Sequence, residues 1–211
     1  MYTPKHYQGK GIDEAIAFIK RFNFGIITTS IDGIPIATHL PFVVSKKDNI
    51  MILTSHFAKA NKQWEHICSK QNLVVFNEPH SYVSPKHYNK LENVPTWNYI
   101  SIHAYGKAQI ITEKKEVYKV LEDMMDNFEP EYKNQWNTLS NEYKTKMSNG
   151  IVAFQIEISD LQTKEKLSQN KKENERRSII DSFASSDDIN KVTLADYMET
   201  NELHTTKPKR H

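Results

Sequence analysis

The sequence predicts a mainly β fold with flanking helices, an α+β arrangement built around a small β-barrel. Short strand-like segments outnumber helical ones over the first two thirds of the 211 residues. They do not alternate regularly with helices, as strands do in a doubly wound sheet. Asp32-Gly33 is a tight hairpin signal between two of these segments. We therefore expect antiparallel strands joined by short turns.

The individual elements follow from hydrophobic periodicity. Apolar residues at helical spacing predict an amphipathic helix from Ile12 to Phe22. Pro35 and Pro41 cannot donate to a strand ladder, so the strand over residues 34–44 is expected at a sheet edge or with a bulge. The other predicted strands cover residues 25–30, 49–54, 73–76, 97–112 and 151–158, the other predicted helices cover residues 58–67, 115–127, 142–148, 175–183 and 194–200, and residues 78–96 are predicted to form a long loop.

Composition excludes several classes of protein. Cys68 is the only cysteine, so an intramolecular disulfide and a CxxC metal site are both excluded, and a reducing cytoplasm fits best. We expect neither a signal peptide nor a membrane span, because no apolar run approaches eighteen residues. The net charge of +2 is too small to indicate a polyanionic partner. The local cluster Lys171, Lys172, Arg176 and Arg177 is interpreted as a solvated helix face rather than a nucleic-acid patch.

An aromatic and amide cluster stands at the entrance of the strand that begins near residue 97. Trp97 and Tyr99 could stack on a planar ligand, and the amide of Asn98 could donate and accept hydrogen bonds at once. A Trp at a strand start is more often part of a core or an interface. Other motifs must therefore decide between the two interpretations.

The segment Thr54 to Asn61 is predicted to join a strand to a helix, which would direct backbone N–H groups and a positive dipole end toward one place. Ser55, Lys59 and Asn61 could together hold a phosphate monoester. The alternative is that Ser55 caps the helix and Lys59 is solvated. Further on, Lys166, Gln169 and Asn170 could reach a phosphate or a carbonyl-rich ring, or could simply form a polar connector.

No other chemistry is indicated. The histidines at positions 39, 56, 80, 87 and 103 form no HxxxH or HExxH pair, so no metal site is predicted. A GxSxG elbow and a glycine-rich phosphate loop are both absent from the sequence, so covalent hydrolytic catalysis is not supported.

Several motifs in this order and at this spacing resemble those of the PaiB family. They are Met1-Tyr-Thr-Pro-Lys-His-Tyr7, Ser55-His-Phe-Ala-Lys-Ala-Asn61, Tyr82-Val-Ser-Pro85, Val94-Pro-Thr-Trp-Asn-Tyr99 and Lys166-Leu-Ser-Gln-Asn170. The resemblance covers residues 1–183. It implies an FMN-binding split β-barrel related to pyridoxamine-phosphate oxidases, which are homodimers with flavin in the groove between subunits.

The resemblance also implies which residues bind FMN. One group of strand residues would lie beside the isoalloxazine ring, and a second group would hold the phosphate. Trp97 and Asn98 match a strand entrance that meets flavin in related barrels. Lys166 and Gln169 belong to the family's late motif. The ring group is Thr38, His39 and Leu40, and the phosphate group is Ser55, His56, Lys59, Ala60 and Asn61. An arginine common in the oxidases is replaced here by Ala37-Thr38-His39, which argues against oxidase activity.

The expected function is that of a cytoplasmic, homodimeric FMN-binding negative transcriptional regulator, with DNA as a partner by resemblance only. The alternatives are a flavin-dependent or haem-handling oxidoreductase of the split-barrel class, and a partner-binding barrel without a cofactor. Flavin chemistry demands little acid–base equipment from the protein, so the lack of a catalytic dyad does not separate them. The expected domains are a barrel over residues 1–170 and a polar, partly helical extension over residues 171–211.

Overall fold

The computed structural model describes residues 1–205, and for residues 202–205 the backbone alone. The described chain divides into two compact units. Unit 1 contains Met1–Lys10, Asn77–Ile102 and the residues from Thr163 onward, and unit 2 contains Gly11–Phe76 and His103–Gln162. The predicted domain boundary after residue 170 falls inside unit 1, and residues 206–211 of the predicted extension lie outside the described residues.

The described residues form one mainly antiparallel sheet with six α-helices. The strands are β1 (Phe24–Ile31), β2 (Ile34–Pro41), β3 (Val43–Lys47), β4 (Ile50–Ala58), β5 (Asn72–Phe76), β6 (His80–Val83), β7 (Thr96–Ile110) and β8 (Ile151–Lys166). The helices are α1 (Ile12–Arg21), α2 (Lys114–Phe128), α3 (Tyr132–Thr138), α4 (Asn141–Ser148), α5 (Glu173–Ala184) and α6 (Ile189–Thr205).

The sheet of unit 2 is open. Its strands follow the order β2-β1-β5-β7-β8-β4-β3, to which β7 and β8 contribute the parts of their length that belong to this unit. In unit 1, β6 pairs antiparallel with the start of β7, with Ser81 opposite Asn98. The mainly β, split-barrel class is confirmed, but among the described strands the path ends at β2 and β3 instead of closing.

Local turn chemistry explains the edge of this sheet. Asp32 and Gly33 have φ angles of 52° and 82°, as the predicted hairpin turn between β1 and β2 requires. The predicted edge position of the proline-containing strand is confirmed, since β2 lies at one end of the strand order. The single strand expected over residues 34–44 is wrong, because it breaks at Phe42, whose N–H donates to the carbonyl of Asn23 at 2.8 Å.

The core of unit 2 contains four buried phenylalanine side chains from different segments of the sheet. Phe42, Phe57, Phe76 and Phe154 are at most 1% exposed. The rings of Phe57 and Phe154 are stacked with centroids 4.9 Å apart, and Phe42 meets Phe76 edge to face at 5.6 Å. The amphipathic helix α1 is confirmed, with Ala15, Phe18 and Ile19 buried.

Two further predicted segments differ from the structure, and one helix was not predicted. Residues 58–67 contain a four-residue 3-10 helix, Lys62–Glu65, in place of the expected longer helix. The predicted long loop over residues 78–96 contains β6 and the 3-10 helix Pro85–His87. α3 was missed in the sequence, because a seven-residue helix is too short to show a lasting apolar period.

Candidate functional site

A buried amide, Gln63, organises the predicted phosphate segment in unit 2. Gln63 is 2% exposed, and its Nε2 lies 3.2 Å from the carbonyl of Ile27, 3.1 Å from Thr29 Oγ1 and 3.2 Å from the carbonyl of Ile36. Its Oε1 accepts from Thr38 Oγ1 at 2.7 Å. One side chain therefore joins β1 and β2 to the 3-10 helix that follows β4.

Asn61 and Thr38, both predicted site residues, belong to the same network. Asn61 Nδ2 donates to Thr38 Oγ1 at 2.9 Å, and Asn61 Oδ1 accepts from the backbone N–H of Gln63 at 3.1 Å, which caps the 3-10 helix. The structure thus brings these two predicted residues together. The polar groups of Asn61 and Thr38 already have protein partners. These two residues therefore orient the predicted phosphate segment in addition to lying next to it.

Ser55 has a different role from the predicted phosphate donor. It is fully buried in β4, and its Oγ donates to the carbonyl of Pro41 at 2.7 Å. No α-helix begins next to it within the described chain, because β4 continues to Ala58. The helix-terminus geometry expected for residues 54–61 is therefore wrong, and Ser55 holds β4 against the end of β2.

Lys59 and Ala60 are exposed at the end of β4. The backbone N–H of Lys59 donates to the carbonyl of Gly150 at 2.8 Å, which anchors the segment to the start of β8. The Lys59 ammonium has no hydrogen-bond or ion-pair partner among the described residues. It lines a cavity of about 310 Å³ together with Trp64, Thr112 and Lys114. Two lysines at one cavity can attract an anion.

The remaining predicted residues of unit 2 lie on β2 and β4. His39 is exposed and its ring stacks on Phe24 with centroids 6.2 Å apart, while Leu40 is half-buried beside it. His56 is half-buried, its Nδ1 has no hydrogen-bond partner in the described structure, and burial lowers its pKa. A lowered pKa keeps this imidazole neutral at pH 7, so His56 does not add positive charge for a phosphate.

In unit 1, the predicted aromatic and amide pair separates into two roles. Trp97 is 51% exposed, and its ring lies between His80 and Tyr82 at centroid distances of 5.8 and 6.2 Å. Asn98 is fully buried and accepts from Ser168 Oγ at 3.0 Å. Trp97 can meet a planar ligand, whereas Asn98 holds β7 to the turn after β8.

In the motif Lys166–Asn170, likewise, one residue stabilises the fold and another is available to a ligand. Gln169 Oε1 accepts from the N–H of Leu167 at 2.7 Å and Gln169 Nε2 donates to the carbonyl of Glu165 at 2.5 Å, so Gln169 stabilises the turn itself. Lys166 instead lines a cavity of about 230 Å³ in unit 1, beside Tyr88 and Lys171. Lys171 and Tyr88 were not predicted as site residues, although Lys171 directly follows the motif.

The two arginines of the basic cluster after residue 170 have partners within unit 1. Arg176 donates to the carbonyl of Met198 at 3.3 Å, and Arg177 forms an ion pair with Glu199 at 3.3 Å. These contacts join α5 to α6. Lys172 and Arg177 are exposed, as a solvated face requires, whereas Lys171 and Arg176 are half-buried.

Two further properties concern the described part of the chain. No helix in residues 1–205 is long and apolar enough to cross a membrane. The same residues hold no group of three or more His, Cys, Asp or Glu side chains placed to bind a metal ion.

The fold of this protein is a split barrel like that of solved proteins described as flavin-binding. The FAD and heme binding protein of Mycobacterium smegmatis superposes with a TM-score of 0.60 at 13% identity, over 82% of this chain and 79% of that one. A flavocytochrome of Azotobacter vinelandii has a TM-score of 0.58 at 13% identity, over 74% of this chain and 68% of that one. At such low identity these likenesses show the fold alone.

Sequence comparison then assigns the family. A family model described as "Putative FMN-binding domain" matches residues 1–160. "Protease synthase and sporulation protein PAI 2" of Bacillus subtilis is 38% identical over 202 residues, which cover 94% of this chain and 97% of that protein. The chain belongs to this FMN-binding family, the PaiB family, and the resemblance of its motifs is confirmed.

We expect Gln63→Leu to lower the free energy of unfolding by about 1–3 kcal/mol, because buried polar groups in β1 and β2 would lose their partner. Urea denaturation measures this change. Lys62→Met is the matched control, since Lys62 forms only an exposed ion pair with Glu65 at 2.9 Å and should cost less than about 1 kcal/mol. Equal stability of the two variants would contradict the role assigned to Gln63.

Proposed function

We propose that this PaiB-family protein binds FMN and acts as a negative regulator of transcription, with the flavin as a sensing group. The family match over residues 1–160 carries this proposal. FMN supplies redox chemistry and a planar chromophore when it is bound, and the protein supplies orientation and electrostatics. Regulation is what the family resemblance implies for a protein of this type.

The residues of unit 2 fit the anionic end of FMN. The Lys59 ammonium lacks a described partner and shares a cavity with Lys114. A charge-assisted hydrogen bond to phosphate would satisfy Lys59. We propose that Lys59 and Ala60 meet the phosphate, and that Asn61, through its bond to Thr38, holds this segment in place.

The flat part of FMN requires apolar and aromatic surface. His39 and Leu40 on β2 are proposed to lie along the isoalloxazine ring. Considered by itself, unit 1 has an exposed ring at Trp97 that can stack on a planar ligand. The buried side chains of Ser55 on β4 and Asn98 on β7 hold their strands in place through hydrogen bonds. His56 is proposed as a neutral neighbour of the ring.

An oxidoreductase remains the second candidate, and one observation favours it. The neutral imidazole of His56 has an Nδ1 without a described partner, so it could accept a hydrogen bond or bind haem iron. The absorbance spectrum of the protein separates the haem-handling candidate from the others. Flavin bands fit both the regulator and a flavin-dependent oxidoreductase, and a Soret band fits a haem-handling protein.

Lys59→Met is expected to weaken FMN binding by about 1.5–3 kcal/mol, the range for a hydrogen bond to a charged group. Quenching of FMN fluorescence measures the affinity. Riboflavin lacks the phosphate, so its affinity should not change, and Lys62→Met should behave as the unsubstituted protein. If FMN and riboflavin lose affinity equally, Lys59 does not hold the phosphate.

A homodimer is the expected assembly, because each unit exposes large apolar side chains. Ile34 and Phe24 on the sheet edge of unit 2 are 66% and 65% exposed. We expect Ile34→Lys combined with Ile36→Lys to convert a dimer to a monomer that is still folded, as measured by sedimentation velocity. Ile189→Lys, at another exposed isoleucine, is the control. A monomeric unsubstituted protein, or a variant that stays dimeric, would refute this interface.

Regulation requires sequence-specific DNA binding. The full-length protein should shift a subset of fragments of its own genome in a gel assay at moderate salt, and unrelated DNA should not compete. Adding FMN should change the shifted fraction if the flavin is a sensor. Equal affinity for all fragments would remove the basis for the regulator proposal.

A further inference from the structure

The cavity of unit 1 is lined by polar and positively charged groups from three separate segments. It has a volume of about 230 Å³. Tyr7 comes from the N-terminal segment, Tyr88 and Thr96 come from the region before and at the start of β7, and Lys166 and Lys171 flank the turn after β8. The turn at Leu167–Asn170, which follows β8, brings Lys166 and Lys171 to the same cavity.

Lys166 carries a charge that no described carboxylate balances. Its Nζ donates to Thr96 Oγ1, a neutral partner. Burial and the charge of Lys164 lower the pKa of Lys166. Both effects penalise the ammonium form, and an anion in the cavity would offset both.

Lys171 adds a second positive charge to the same cavity. Its Nζ lies 3.7 Å from the centroid of the Tyr88 ring and 3.4 Å from Asn93 Oδ1. The carboxylate of Glu175 lies near enough for Lys171 to help lower its pKa, but its oxygens accept from the backbone N–H groups of Asn89 at 2.9 Å and Lys172 at 3.2 Å. Lys171 therefore forms no ion pair in the described structure.

Tyr88 supplies an unused donor at this cavity. The residue is 8% exposed, and its hydroxyl is buried without any hydrogen-bond partner in the described structure. An unsatisfied buried hydroxyl is unfavourable by about 1–3 kcal/mol. Burial, the charge of Glu175 and the neighbouring Tyr7 raise the pKa of Tyr88, so the hydroxyl stays protonated and can donate.

We infer that this cavity is a second ligand site, which binds the phosphate group of a small molecule. Lys166 and Lys171 line the cavity together with Tyr7, Tyr88 and Asn170, whose side chains carry further hydrogen-bond donors. A phosphate has enough oxygens to satisfy them, whereas a carboxylate has two. The volume is smaller than the roughly 300–1,000 Å³ of sites for larger ligands, which favours inorganic phosphate or a small phosphate ester over a whole flavin.

Isothermal titration of the full-length, flavin-free protein with inorganic phosphate tests this site. The buffer is free of phosphate, and sodium chloride keeps the ionic strength constant. Phosphate should bind saturably, Lys171→Met should weaken it about tenfold or more, and Tyr88→Phe should weaken it severalfold. Lys90→Met removes an exposed lysine charge from the same unit and should leave the affinity unchanged.

The Tyr88→Phe variant keeps the test decisive if the lysine variant folds poorly. It preserves the ring under Lys171 and removes only an unpaired hydroxyl, so its thermal stability should not fall. No heat of binding, equal affinities in all four proteins, or tighter binding of succinate than of phosphate would each overturn the proposed site.

A competition arm identifies the source of the phosphate group. If FMN displaces inorganic phosphate and riboflavin does not, the cavity holds the phosphate of FMN itself, and the proposal of a second site is wrong. If FMN and phosphate bind together, the ligand is a separate phosphorylated molecule. The site does not depend on the proposed function, because a protein that failed to bind FMN would still bind phosphate here.

Discussion

The Gln63 side chain is the interaction on which the arrangement of unit 2 depends most. A single buried amide reaches carbonyls on two strands and the hydroxyls of Thr29 and Thr38. Thr29 in turn donates to the buried Asn72, whose Nδ2 donates to the carbonyl of Ile67 at 2.7 Å. A buried hydrogen-bond network stabilises the fold only when each of its polar groups has a partner. This network therefore fixes the point at which the chain leaves β4 and the position of Lys59.

Unit 1 uses the same principle at a different motif. The side chains of Asn98 and Gln169 form hydrogen bonds that shape the turn after β8, where Ser168 has a φ of 60°. That turn leaves Lys166 and Lys171 at a cavity without carboxylate partners. Asn98 and Gln169 thus shape the turn, whereas Lys166 and Lys171 line the cavity. The residues that shape the turn are needed to place both lysines at the same cavity.

The sequence predicted most of the fold and some of the residues that line the two cavities. The helix α1, the Asp32–Gly33 hairpin and the edge position of β2 follow from periodicity and turn chemistry, which act over a few residues. The expected helix over residues 58–67 failed, because Asn61 and Gln63 form hydrogen bonds with β1 and β2 that override local helix preference. Lys59 and Lys166 were predicted as binding residues and line cavities, whereas Lys171 and Tyr88 were missed.

By itself, the sequence determined the turn at Asp32-Gly33, the buried face of α1 and the motifs that mark the family, because each depends on neighbouring residues. Only the tertiary structure decided which polar side chains remain available to a ligand. Ser55, Asn98 and Lys59 are all polar in the sequence, but the partners of Ser55 and Asn98 lie 14 and 70 positions away and occupy their hydrogen-bonding groups, whereas the Lys59 ammonium has no partner among the described residues. A side chain can serve a ligand only with the groups that folding has not already paired.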